Sequence, residues 1–166
     1  MTTALLVIDV QNDYFPSGAF PLWNPEATLE ATVAAIGRAR SRGESVILVR
    51  HEAATPDSPL FRPGTPGAEI HPRILAAAAG APVVIKHHAD SFHHTGLARV
   101  LAGLGVTHLH IAGMMTQNCV AFTAVSRDAD PYEVSVLSDC VTTVDRNIQR
   151  FALHALSTRV RVTTDA

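Results

Sequence analysis

Six short, dense apolar runs punctuate the chain. The first, "ALLVIDV" (4–10), is apolar at every position but Asp9. It is followed by "SVILVR" (45–50), "PVVIKH" (82–87), "THLHIAG" (107–113), "EVSVLSD" (133–139) and "RVRVTT" (159–164). Their length and β-branched content predict strands, and the near-continuous first run predicts burial on both faces. Between most of them the spacing turns helical, over roughly 94–104, 119–129 and 146–157. "NPEATLEATVAAIGRARSRG" (24–43) reads as a helix with Asn24 as N-cap, Pro25 in the first turn and Gly43 as the stop. "HPRILAAAAG" (71–80) reads as a further helix. Strands alternating with helices predict an α/β fold, a parallel sheet with helices on both faces and right-handed crossovers. No repeat, linker or low-complexity segment interrupts the pattern, so one domain is expected over 1–166.

Composition narrows the partners. The 166 residues are 47% hydrophobic and 17% charged, with a formal net charge of −2. That describes a globular chain. There is no basic stripe to bind nucleic acid and no apolar run long enough for a bilayer. "MTTALLVIDVQND" has neither the charged nor the long apolar region of a signal peptide. Two cysteines, Cys119 and Cys140, make no disulfide framework, and a reducing cytoplasm is the simplest setting.

In parallel sheets of this kind ligands bind beyond the carboxyl ends of the strands. Asp9 lies near the end of the first strand, Lys86 ends the third, and Cys119 follows the fourth across "GMMTQNC". A carboxylate in an apolar strand is costly to bury without a partner. A cysteine at a helix start, near a lysine, is expected to hold a lowered pKa and to attack as its thiolate. Asp9 would shuttle the proton, Lys86 would orient both groups, and the turn would aim backbone N–H groups at an oxyanion. These parts describe acyl transfer through a thioester, followed by hydrolysis. Taken singly, each residue also has a structural explanation: a packed cysteine, a buried acceptor, a strand-end lysine reaching water.

Five stretches in order, "LLVIDVQNDYF", "SPLFRPGTPGAEIHP", "VIKHHADSFHHTGL", "HIAGMMTQNCVAFTA" and "VLSDCVTT", make the chain resemble the isochorismatase-like cysteine hydrolases nearly end to end. The resemblance implies a catalytic triad of Asp9, Lys86 and Cys119 on a Rossmann-like, three-layer domain with a six-stranded parallel sheet. It implies a cis peptide between Met114 and Met115, an oxyanion hole at the N–H groups of Met115 and Cys119, and Thr116 supporting the turn. It implies hydrolysis of small amides, ureides or carbamoyl compounds; nicotinamidases and N-carbamoylsarcosine amidohydrolases look like relatives. Isochorismatase proper lacks the cysteine, so Cys119 argues against vinyl-ether cleavage. Nicotinamidases hold a metal through Asp-x-His and a second histidine. Here only His51 matches, with Val49 in place of the aspartate, so no metal and no cofactor are expected.

The chain has nine histidines, four of them in "HHADSFHH" (87–94), a tract that resembles a metal site but is read as loop and surface residues. His108 and His110 share a strand face. Pocket walls are sought in loop aromatics, Phe15, Phe61 and Phe92, with Gln11, Thr116 and Gln117 as polar contacts to a small-molecule substrate. Asp139 and Cys140, ending the fifth strand, are read as structural or as supporting the site residues from behind. The resemblance also implies a homo-oligomer, dimer or larger, whose neighbouring subunit could complete the pocket. Two rivals come from other classes. A thiol redox sensor would keep the fold without turnover, and a nucleotide binder would need a "GxGxxG" after the first strand, which is lacking.

Overall fold

All six apolar runs form strands. In the computed structural model, which describes residues 1–164, they are β1 (Thr3–Ile8), β2 (Ser45–His51), β3 (Val83–Lys86), β4 (His108–Met114), β5 (Glu133–Thr142) and β6 (Arg161–Thr163). They make one sheet in the order β3-β2-β1-β4-β5-β6, parallel throughout. The helices are α1 (Pro25–Ser41), α2 (Pro72–Ala77), α3 (Leu97–Gly103), α4 (Ala121–Ala124) and α5 (Arg146–Ser157). The expected doubly covered α/β sheet is therefore present. Among the described residues no helix is long and apolar enough to cross a membrane.

β1 shows how the sequence builds the three layers. Side chains of successive strand residues point to opposite faces. Leu5 and Val7 enter a core with Leu29 and Ile36 of α1 and Ile74 of α2. Ala4, Leu6 and Ile8 enter a second core with Leu97 and Leu101 of α3, Val120 and Leu156 of α5. Each fully buried leucine or isoleucine contributes roughly 1.5–3 kcal/mol of burial free energy. The central strand, apolar on both sides, is thus the rigid base from which Asp9 projects.

Three local readings are corrected. Asn24 takes a left-handed conformation, φ 48°, and its side chain caps nothing. α1 instead begins on Pro25, whose fixed φ suits the first turn. The helix expected over 119–129 is broken into a π-helical turn (Thr116–Val120), the single turn of α4, and a 3-10 turn (Arg127–Ala129). β5 runs on through Asp139 and Cys140 to Thr142 rather than ending there.

At the carboxyl edge the sheet depends on one glycine. Gly113 has φ +126°, and a Cβ there would lie 1.9 Å from the Ile8 carbonyl oxygen. The β4–β5 register also shifts between Ile111 and Gly113. The end of β4 therefore closes against the end of β1, and the turn bearing Cys119 emerges beside Asp9.

Candidate active site

The ends of β1 and β3 and the turn after β4 meet in one buried cluster. β1 stops at Ile8, and Asp9 adopts φ 53°, a left-handed conformation uncommon outside glycine, which turns the chain off the strand. Its carboxylate is fully buried, and Lys86 Nζ lies 2.8 Å from Oδ2. In β3 the side chains of Val84 and Lys86 face inward, so the last residue of the strand delivers a fully buried ammonium. The β2–β3 register sets His51 opposite Lys86. His51 Nδ1 is 3.1 Å from Nζ and 4.0 Å from Asp9 Oδ2. Lys86 also donates to the carbonyls of His88 (2.9 Å) and Ala89 (3.4 Å). Cys119, 2% exposed, completes the group, with ligand atoms of Asp9, His51 and Cys119 all within 4.8 Å of one another. The Met114–Met115 peptide is cis, as the resemblance implied.

The electrostatics revise one expectation. Burial, and then the Asp9 carboxylate, push the Cys119 thiol well above its ordinary pKa, and Lys86 only partly opposes them. Cys119 is the fourth residue of a π-helical turn rather than the first of a helix, and the dipole effect fades within the first turn. Both effects favour a neutral Cys119 thiol over a preformed thiolate. Burial disfavours the Lys86 ammonium, but Asp9 and then Cys119 outweigh it and raise its pKa. Burial and then Lys86 lower the pKa of His51 against the pull of Asp9. A neutral His51 accepts from Lys86 at Nδ1, which leaves the ring proton on Nε2.

Above the thiol lies a cleft of about 300 Å³, walled by Tyr14, His51, Leu60, Phe61, Met115 and Asn118 among others. A larger cleft of about 580 Å³ lies at the opposite, amino end of β4–β6, against His108, Glu133 and Arg161. The smaller one is the candidate site, because among the described residues it opens on the thiol that clusters with the Asp9 carboxylate and the Lys86 ammonium.

Of the proposed walls, Phe61 lines the cleft. Its φ is 53°, and its N–H donates to Asp13 Oδ2 at 2.7 Å. Met115 lines it as well. Phe15 does not: its ring packs on His71 at 4.5 Å. Phe92 is buried in the second core and stacks on Tyr132 at 6.2 Å. Gln11 is fully buried and clamps loops, donating to the carbonyls of His51 (2.8 Å) and Ala68 (2.6 Å) and accepting from the His51 N–H (2.9 Å). The Thr116 hydroxyl donates to Gln149 Oε1 at 2.6 Å, and Gln149 in turn donates to the Val141 carbonyl at 2.9 Å. Gln117 accepts from Thr143 and reaches Met115 Sδ at 3.7 Å. These three polar residues hold the turn and loops and do not face the cleft. Sequence reasoning missed Tyr14, because the 3-10 turn Asn12–Tyr14 points it, rather than Phe15, at the thiol. It also missed Asp13, which accepts from the N–H groups of Phe61 and Ala19.

The metal pattern of nicotinamidases has no counterpart here. Val49 is buried in the core, His51 Nδ1 is engaged by Lys86, and His71 stacks on Phe15. Asp9, His51 and Cys119 could in principle hold a cation. The Lys86 ammonium already occupies that role, at 2.8 Å from Asp9 and 3.1 Å from His51.

Comparison with known proteins agrees with this geometry. The Isochorismatase domain model matches residues 3–166. The isochorismatase family protein YddQ of Bacillus subtilis is 38% identical over 144 residues, 86% of this chain and 79% of its own length. The maleamate amidohydrolase of Pseudomonas putida is 28% identical over 83% of this chain and 71% of its own. The solved isochorismatase-like hydrolase from Alkaliphilus metalliredigens superposes with a TM-score of 0.90 at 25% identity, covering 98% of this chain and 93% of that one. By the match over residues 3–166 and the 38% identity to YddQ, the chain belongs to the isochorismatase family of hydrolases.

Proposed function

We propose that the protein is a metal-independent cysteine amidohydrolase, cleaving the C–N bond of a small amide, ureide or carbamoyl compound through a thioester. The observation that carries this reading is the buried Asp9–Lys86–Cys119 cluster opening into a cleft of about 300 Å³. The substrate carbonyl enters above Cys119. Sγ bonds to the carbonyl carbon as the thiol proton passes to Asp9, so charge separation is confined to the moment of attack. Lys86 holds the carboxylate in place until then. The developing oxyanion is received by the backbone N–H groups of Met115 and Cys119. As the C–N bond breaks, Asp9 returns the proton to the departing amine. Water, deprotonated by Asp9, then attacks the thioester, and the acid leaves as the thiol is restored. The cleft sits at the small end of ligand sites, which fits a substrate of few heavy atoms. The maleamate amidohydrolase relative, by its name, acts on an amide.

A panel of small primary amides and ureides scored by ammonia release tests the reading. The expected result is turnover by the wild type, and loss of it in Cys119→Ala with an unchanged melting curve. A Cys119→Ala protein that keeps the wild-type rate would remove the mechanism.

A further inference from the structure

One buried hydroxyl at the cleft above Cys119 has no part in the chemistry above. Tyr14 lines the cleft and is 2% exposed. Its ring packs edge-on against Phe61, with centroids 4.8 Å apart and planes at 75°. Phe61 is itself pinned through its N–H to Asp13. Among the described residues no side chain or carbonyl takes a hydrogen bond from the Tyr14 hydroxyl. Nor is it sealed in: the enclosed atoms left without a partner are the two Asp9 oxygens and Arg50 Nε. The hydroxyl therefore opens on the cleft. A rigid, buried and unpaired donor costs the fold stability unless a ligand takes it up. Small-molecule sites keep a few such groups among apolar walls to fix their ligand.

The charges around the cleft narrow what that ligand can be. The residues lining it include no arginine, lysine, aspartate or glutamate. The Arg62 guanidinium lines a neighbouring hollow with Pro56 and Pro63 instead. Behind the walls lie two buried carboxylates, Asp9 and Asp13, against one buried ammonium, Lys86. With His51 neutral, the buried charges sum to −1. Tyr14 registers that field: burial first, and then Asp9, raise the pKa of its phenol. What opposes a phenolate there opposes a carboxylate of a substrate in the same space. A substrate carboxylate would also be desolvated without a cation to receive it.

Resting on the amidohydrolase reading above, we propose that the substrate is an amide with an uncharged acyl group bearing a hydrogen-bond acceptor, and that Tyr14 selects it by donating its hydroxyl to that acceptor. Leu60, Phe61 and Met115 supply the apolar walls around the rest of the group. Half-amides of dicarboxylic acids are excluded by the same charges. A site built to hydrogen-bond one substrate atom discriminates against analogues that lack it, because its own donor is then left unpaired. Tyr14 is thus a specificity-determining residue and takes no part in bond cleavage.

Cys119 is the reporter in the test. Iodoacetamide and iodoacetate share a shape and differ in charge. The ratio of their alkylation rates at Cys119, read by peptide mass spectrometry, is compared between the folded full-length protein and the same protein in urea. One net charge about 10 Å away at an effective dielectric constant of about 20 corresponds to about 15-fold, so folding should shift the ratio toward iodoacetamide by about tenfold or more. Arg62→Ala should leave the ratio unchanged. A ratio that folding does not move, a preference for iodoacetate, or a Cys119 that neither reagent reaches would overturn the uncharged class. Small amides with an ether or ketone oxygen at successive positions of the acyl chain, each paired with its methylene counterpart, are then titrated as protectors of Cys119 against iodoacetamide. In at least one pair the oxygen-bearing amide should protect better, and Tyr14→Phe should erase that difference, about 2- to 12-fold for one neutral hydrogen bond. Tyr14→Phe should unfold at no lower urea concentration than the wild type, since its hydroxyl has no protein partner to lose. No difference in any pair, a difference that survives Tyr14→Phe, or a clear drop in the urea midpoint would overturn the role of Tyr14. Neither measurement needs turnover, so both are separate from the ammonia-release panel, whose failure would sink the hydrolase reading instead.

Discussion

Replacing the proposed acid–base group should make the nucleophile more reactive, not less. Asp9→Asn removes the carboxylate that, after burial, does most to keep Cys119 protonated. The two groups lie within 4.8 Å. At an effective dielectric constant of about 20, a unit charge at that distance is worth about 3.5 kcal/mol, or roughly 300-fold in the thiolate fraction at a fixed pH below the pKa. A less basic thiolate is also a poorer nucleophile, with a Brønsted coefficient of about 0.4–0.5, so the net gain in thiol–disulfide exchange falls to about 20-fold. Lys86 keeps its carbonyl acceptors on His88 and Ala89 in the variant, which favours the charged ammonium beside the thiol. The assay is the second-order rate with a small dipyridyl disulfide, followed by absorbance from pH 6 to 9. Cys119→Ser supplies the background from the fully buried Cys140. Asp9→Asn should react faster while losing amide turnover. A wild-type thiol already fast and pH-independent near pH 7, unchanged by Asp9→Asn, would mean a resting Lys86–thiolate pair and refute the neutral-thiol account.

Two further outcomes follow from the same site. Cys119 and Tyr14 both have raised pKa values, through burial first and the Asp9 charge next, and Lys86 is raised by Asp9 and Cys119 against burial. In each case the native state keeps a proton that the unfolded chain gives up. Their stabilisation is therefore whole below the unfolded values and declines as pH rises past about 9, by up to about 1.4 kcal/mol per pH unit for each group. Urea midpoints from pH 8 to 10.5 should fall, and Cys119→Ser should flatten the first part of the fall; parallel curves for variant and wild type would contradict this. Asp13→Ala should cost about 1–3 kcal/mol, the range for stranding buried N–H groups, here those of Phe61 and Ala19. Because Phe61 walls the cleft, KM should rise more than kcat falls, and an unchanged KM would separate Asp13 from the site.

The strands were legible because each is a short apolar run with turn residues on either side, and their number and alternation with helices led to the sheet. Asp9, Lys86 and Cys119 could be brought together on topology alone, since all three fall at carboxyl ends. His51 could not. Its place beside Lys86 comes from the β2–β3 register, which no local pattern encodes. The helix expected over 119–129 misled because "CVAFTAV" is apolar but for Thr123. The chain opens into a π-helical turn at Cys119, and Phe122 and Val125 remain 56% and 41% exposed rather than forming a buried stripe. One aromatic wall, Phe15, was misassigned by one residue for a similar reason. A single 3-10 turn sets which way Tyr14 and Phe15 face, and it has neither the strand period nor the α-helical one.

Asp9 and Asp13 lie four residues apart in one loop, and both are buried, yet their surroundings assign them opposite work. Asp13 spends its oxygens on the N–H groups of Phe61 and Ala19. It sits so close under Gly67 that a Cβ there would come within 2.0 Å of Oδ1. A carboxylate so held, each oxygen accepting one backbone N–H, fixes the loop of residues 53–70 over the cleft. Asp9 accepts no backbone hydrogen bond, and its charge is met by Lys86 across 2.8 Å. In the proposed mechanism that leaves its oxygens able to take the thiol proton as Cys119 attacks. Two like residues with separate roles fixed by environment are a recurring device in hydrolytic sites. The geometry also explains why the pair cannot be exchanged. Full hydrogen bonding of Asp9 would disable the base, and stripping Asp13 of its partners would release Phe61 from the wall and open the cleft to water.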